Sequence, residues 1–147
     1  MEQPTRTLQI FSSGANQFAV FTDEVMTIAA WREPAALPHA PAAVLGVVSI
    51  HGRMLTVLDP SQLLEQPRRS QCPSHILALR GDEQLALAID GQGEIIDNAE
   101  EFELTPELDG KLISRVINLN GDEISILNVK ELFATAIQGR ERRRRRF

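Results

Sequence analysis

The sequence predicts a mainly β protein: two small five-stranded barrels packed around a shared core, with short helices. Three observations predict it. Apolar runs of four to eight residues recur with Gly, Asn or Asp between them, the pattern of short strands joined by tight turns. Only two segments have the length and the caps of a helix. The chain also repeats itself, so one small β unit is built twice.

In the first half, Thr7 to Ser12, Gln17 to Thr22 and Met26 to Ala30 read as strands, followed by Leu45 to Ile50 and Met54 to Leu58 on either side of Gly52. Asp59-Pro60 then opens a short helix over Ser61 to Glu65, because Asp can accept the free amide hydrogens of a first turn and Pro has none to lose. In the second half the strands are Ser74 to Leu79, Gln84 to Ile89, Glu94 to Asn98, Ile113 to Leu119 and Glu123 to Leu127. Asn128 to Ile137 forms the second helix, with Asn as its cap. Gln66 to Pro73 is polar and bracketed by prolines, a surface connection. Glu100 to Gly110 is an acidic stretch expected to run over the surface.

The repeat appears when the chain is slid 69 positions along itself. Gly46 to Asp59 then lies over Arg115 to Asn128, with Gly52 on Gly121 and Val47, Val48, Ile50, Leu55, Val57 and Leu58 all meeting apolar partners. An offset of 67 lays Phe18 to Asp23 over Leu85 to Asp90. Five strands of this length can close into a barrel, which removes exposed sheet edges. A unit of roughly 65 residues buries little core alone, so the two must pack together. The expected division is one domain over 7–137, with subdomains at about 7–66 and 74–137, and a disordered Arg-rich tail at 138–147. The seam between the subdomains is expected to offer an apolar cleft for another protein's helix or strand.

The bulk chemistry narrows the function. The net charge is −5, yet six of the fifteen basic residues are Arg140 and Arg142 to Arg146; without residues 140–147, nine basic residues face nineteen acidic ones, a charge near −10. Such a body repels nucleic acid and anionic lipid. No apolar run approaches the ~20 residues needed to cross a bilayer, so membrane insertion is not expected. The first residues lack a signal segment, and Cys72 is the single cysteine; a reducing, cytoplasmic address follows. The tail reads either as a tether to anionic lipid or nucleic acid, or as a segment folding back on the acidic body.

Catalysis is not expected. His39, His51 and His75 have no second His or Cys at chelating spacing, so no metal site is anticipated. Asp90-Gly91-Gln92-Gly93 lacks the third glycine and following helix of a dinucleotide fingerprint; Asp-Gly at a hairpin reversal accounts for it. No cofactor and no small-molecule substrate are implied.

A more specific signal lies in Val25-Met-Thr-Ile28, Leu37-Pro38-x-x-Pro41 and Val44-x-Gly46-Val47-x-x-x-x-Gly52-x-x-x-x-Val57-x-Asp59. Together with Ala88-Ile89-Asp90-Gly91 and the closing segment from Asn118 to Leu132, it resembles the CheW family of chemotaxis coupling proteins over about residues 7 to 137. The resemblance implies two SH3-like five-stranded barrels around a shared core. It also implies an adaptor that links the cytoplasmic tip of chemoreceptors to the regulatory domain of a CheA-type histidine kinase, at receptor arrays beneath the inner membrane. The partner-binding residues implied are Val25, Thr27, Gly46, Val47, His51, Val57, Ile89 and Asp90. For Gly46 a plain backbone role, and for Val47 and Val57 a core role, stand beside that reading. Four positions depart from the family pattern: Thr27 stands where an acid is usual, His51 where Arg is usual, Thr56 where Pro is usual and Pro60 where Leu is usual. A His cannot copy the rigid fork of donors of a guanidinium. The alternative function is a small SH3-like barrel protein that binds nucleic acid or an anionic surface through its Arg tail.

Overall fold

Alternation along each run decides which sheet face a side chain takes, and in the computed structural model those faces meet in three apolar layers. The described residues are 7–14, 16–63, 72–97, 103–104, 112–119 and 121–138. The strands are β1 (Leu8–Ser13), β2 (Asn16–Phe21), β3 (Val25–Ala30), β4 (Val44–Ile50), β5 (Arg53–Leu58), β6 (His75–Leu79), β7 (Leu85–Ile89), β8 (Gly91–Ile96), β9 (Glu103–Leu104), β10 (Ile113–Leu119) and β11 (Asp122–Leu127). Helix α1 (Pro60–Leu63) follows β5, and α2 (Val129–Phe133) follows β11. The tail at 139–147, the connection at 64–71 and most of the acidic stretch lie outside the described residues. Within that stretch, β9 is a two-residue strand on β10.

One sheet has the order β8-β1-β2-β11-β10-β9 and the other β3-β6-β7-β5-β4. Each therefore draws strands from both halves of the chain. The halves 7–66 and 74–137 are not two consecutive barrels: β1 and β2 join β8, β10 and β11, while β6 and β7 join β3, β4 and β5. The exchange is reciprocal and keeps register. Parallel pairing sets Thr56 opposite Leu85 in one sheet and Ser125 opposite Phe18 in the other, the same positions under the two repeat offsets. The bulge between Val44 and Gly46 recurs between Ile113 and Arg115, again 69 residues on. A right repeat thus folds by trading its first two strands with its twin, which ties the halves together topologically.

The crossing points between sheets explain the two short links. The 3₁₀ turn Thr22–Glu24 carries the chain from one sheet to the other after β2. Asp90 does so after β7, since β8 starts at Gly91 rather than Glu94 and pairs with β1 in the other sheet. Asp90-Gly91 is thus a corner and not a hairpin reversal. Its carboxylate accepts the Gly14 N–H, its own N–H reaches the Ser12 carbonyl at 2.8 Å, and its carbonyl accepts from the Ser74 hydroxyl at 2.7 Å.

The layers follow from the alternation. Leu85, Leu87 and Ile89 of β7 face one way, and Ala86 and Ala88 the other. The first set joins Phe11, Phe18, Val20, Leu58, Leu77 and Leu127 in a core shared by both sheets. Ala86 and Ala88 join Val48, Leu55, Val57 and Ile76 inside one barrel, and Leu8, Ile10, Ala19, Ile117, Ile124 and Ile126 fill the other. Strands such as β7, buried on both faces, read as continuous apolar runs for that reason. The buried Gln9 amide, at the bulge of β1, is satisfied by donating to the carbonyls of Gly93 and Ile10, each at 2.9 Å. Both helix caps form as their chemistry requires, with Asp59 Oδ1 accepting from Ser61 N at 3.0 Å and Asn128 Oδ1 from Lys130 N at 3.2 Å.

Candidate functional site

The seam differs from the open slot expected from the sequence. It is filled by the protein's own side chains, because the shared core takes Phe11 and Phe18 from one sheet and Leu77, Leu87 and Ile89 from the other. What remains for a partner is its rim. Val25 and Ile28 of β3, Leu112 and Ile113 at the start of β10, and Val129 and Phe133 of α2 are half-buried apolar residues packed on that core. Half-buried apolar side chains keep contact area to offer without leaving a cavity behind them.

The residues singled out in the sequence fall into separate places. Val25 and Thr27 lie on β3, an edge strand whose pairing with β6 shifts between them. His51 is exposed at the tip of the β4–β5 hairpin, where His51 and Gly52 both have positive φ, 52° and 76°. That is the backbone of a two-residue type I′ turn, for which the second copy carries Asn120-Gly121. The tip is brought to the start of β3 by Arg53, whose guanidinium lies 3.8 Å from Met26 Sδ and donates to the Gly81 carbonyl at 3.1 Å. Arg80 ties the same corner by donating to the Val25 carbonyl at 3.1 Å. Val25, Thr27 and His51 therefore belong to one end of one barrel.

The other five do not form a surface with them. Val57 and Ile89 are 0% exposed; both are core residues and offer nothing to a partner, which corrects their assignment as contacts. Asp90 is half-buried and its polar groups serve the corner between sheets. Val47 is half-buried, hydrogen bonded in both directions to Ala35, at 2.8 and 2.9 Å. Gly46 is buried at the bulge, with φ +147°, and a Cβ there would lie 2.4 Å from the Ala35 carbonyl oxygen. Its role is to let the segment before β4 cross.

A second feature has no signature in the sequence. Residues 31–42 fold over the flank of the β3–β4 side and leave a groove of about 620 Å³. Trp31, Pro34, Leu37, Pro41, Val44 and Leu45 supply its apolar lining, with Glu33, His39 and Asp59 among its polar groups. A proline-rich segment without periodicity reads only as a loop, and nothing local tells that it stands off the sheet. Among the described residues, no group of three or more His, Cys, Asp or Glu side chains is placed to hold a metal ion, and no helix is long and apolar enough to cross a membrane.

Comparison with known proteins gives one consistent picture. The family of CheW-like domains matches residues 7–137. The chain is 23% identical over 141 residues to a probable chemotaxis protein CheW of Rhizobium etli, covering 91% of each. It is 24% identical over 135 residues to the chemotaxis protein CheW of Rhizobium meliloti, covering 87% of each. The crystal structure of the scaffolding protein TtCheW from Thermoanaerobacter tengcongensis superposes with a TM-score of 0.75 at 17% identity, over 89% of this chain and 93% of that one.

Proposed function

The chain belongs to the family of CheW-like domains, and from that premise we propose that it is a chemotaxis adaptor coupling the cytoplasmic tip of chemoreceptors to the regulatory domain of a CheA-type histidine kinase. The observation that carries the reading is the family match across 131 residues, from 7 to 137. It spans both barrels rather than one. The scaffolding role named for TtCheW and the chemotaxis role named for the two Rhizobium proteins support the same assignment. Such work needs no reacting groups; it needs two faces held rigidly apart, and the strand exchange provides a rigid body.

The receptor docks, on this reading, where Val25, Thr27 and His51 share one barrel end next to the half-buried Ile28. An amphipathic helix lays an apolar stripe on such a surface. Thr27, in place of the acid usual in the family, and His51, in place of Arg, remove a carboxylate and a guanidinium fork from that face, so the receptor segment it prefers differs from the one the usual pair would hold. The protein works in the cytoplasm, at receptor arrays beneath the inner membrane.

Thr27 tests the assignment because it sits half-exposed at a bulge. Thr27→Arg is expected to lower affinity for a soluble receptor cytoplasmic fragment at least about tenfold, roughly 1.4 kcal/mol, measured by isothermal titration calorimetry. The thermal midpoint of the variant should stay close to that of the parent, as for a surface substitution. Affinity unchanged within experimental error would remove the receptor from this face.

A further inference from the structure

We infer that Arg53 is the specificity-determining residue of the receptor-docking end, and that its guanidinium takes a carboxylate of the receptor segment. This rests on the adaptor reading and names the partner's chemistry at that face. The internal repeat gives each barrel an equivalent end. An offset of 67 lays β3 on β8, each bulged where it pairs with its neighbour, and an offset of 69 lays the β4–β5 hairpin on that of β10 and β11. Met26 then falls on Gly93, Thr27 on Glu94 and Arg53 on Asp122. Arg80 falls on Ser12, because Val25 pairs with Leu79 and Gln92 with Phe11, the residues just before them.

The two ends are chemically opposite. Ser12, Gly93, Glu94 and Asp122 line a hollow of about 310 Å³, whereas the same positions of the other barrel hold Arg80, Met26, Thr27 and Arg53. There the half-buried Arg53 is held over Met26 by its 3.1 Å bond to the Gly81 carbonyl, and Arg80 by its own 3.1 Å bond to the Val25 carbonyl. Among the described residues neither guanidinium is paired with a carboxylate, and these bonds leave donors over. A group already fixed by its neighbours offers those donors at little cost in side-chain entropy, and a carboxylate is what a planar fork of N–H donors fits. Asp23, Glu24, Asp82 and Glu83 of the adjoining turns offset the charge of the two arginines at longer range, so the choice is made in contact and not by steering. The other end repels the same carboxylate through Glu94 and Asp122. That difference confines the receptor to one end of a body whose two halves are built alike.

Isothermal titration calorimetry of a soluble receptor cytoplasmic fragment into the full chain and its full-length variants tests this. Arg53→Lys, Arg53→Gln and Arg53→Glu are expected to lower affinity in that order, by about threefold, tenfold and a hundredfold. Affinity for the regulatory domain of a CheA-type kinase should stay that of the parent in all three. Asp122→Arg, at the exposed equivalent position, should bind the receptor fragment as the parent does. Equal losses for all three replacements would make Arg53 only a brace for the hairpin and overturn the proposal. Unchanged affinity, a loss confined to the kinase domain, or a loss in Asp122→Arg would overturn it too. So would self-association of the parent that both Arg53→Glu and Asp122→Arg abolish, since it assigns the guanidinium to a second copy. A parent that binds no receptor fragment refutes the adaptor reading itself, and this inference with it.

Discussion

Gly46→Ala lowers the stability of the chain by on the order of 4 kcal/mol, or abolishes cooperative unfolding. Two independent costs meet at this position. The backbone φ of +147° is one that side-chain-bearing residues rarely adopt, worth about 1–3 kcal/mol. The new Cβ would also stand 2.4 Å from the oxygen and 2.8 Å from the carbon of the Ala35 carbonyl, and backbone cannot swing aside as a side-chain tip can. Relief requires breaking the Ala35–Val47 bridge, which opens the 31–42 segment. Urea unfolding followed by circular dichroism measures the effect; a loss below about 1 kcal/mol would mean that the crossing is not held as described.

Phe18→Ala is the second large effect, at about 3–5 kcal/mol. Phe18 is 0% exposed and stacks on Phe11 with ring centroids 5.8 Å apart. Although β2 belongs to one sheet, Phe18 lies in the cluster that includes Leu85 and Leu87 of the other. The cavity left behind cannot be closed from one side. Because the sheets exchange strands, the loss should appear as a shift of one unfolding transition seen identically by Trp31 fluorescence and by far-UV signal. Trp31 packs on the interior of the barrel that does not contain β2. Two separated transitions would show that the barrels unfold independently and that the shared core couples them little.

How far the sequence discloses this architecture depends on the kind of signal. Strand positions and the hairpin at Gly52 follow from local alternation and turn chemistry. Asp59 and Asn128 announce their helices because a cap is a local hydrogen bond. The repeat was also legible, and its offsets of 67 and 69 coincide with the observed parallel registers. Strand exchange was not, since the same offsets describe two barrels closed on themselves equally well, and the choice of partner strand is set by packing far away in the chain. The alternating Leu-Ala-Leu-Ala-Ile of β7 marks a strand, yet cannot tell that both faces are covered, so nothing local speaks against the contact role that the family resemblance implies for Ile89. Asp90-Gly91 carries a hairpin signal, but the hydrogen bonds that make it a corner come from Ser12, Gly14 and Ser74. Thr27 and His51 were recognisable as departures from a family pattern, and their meeting at one barrel end depends on Arg53, to which no local pattern points.

On the proposed function, one rigid double barrel holds a receptor and a kinase domain at the same time. Sedimentation velocity of the full chain mixed with a soluble chemoreceptor cytoplasmic fragment and the regulatory domain of a CheA-type kinase tests it. The expected result is a complex containing all three components that sediments faster than any pair. Displacement of one partner by the other, or no faster boundary with either, would contradict it.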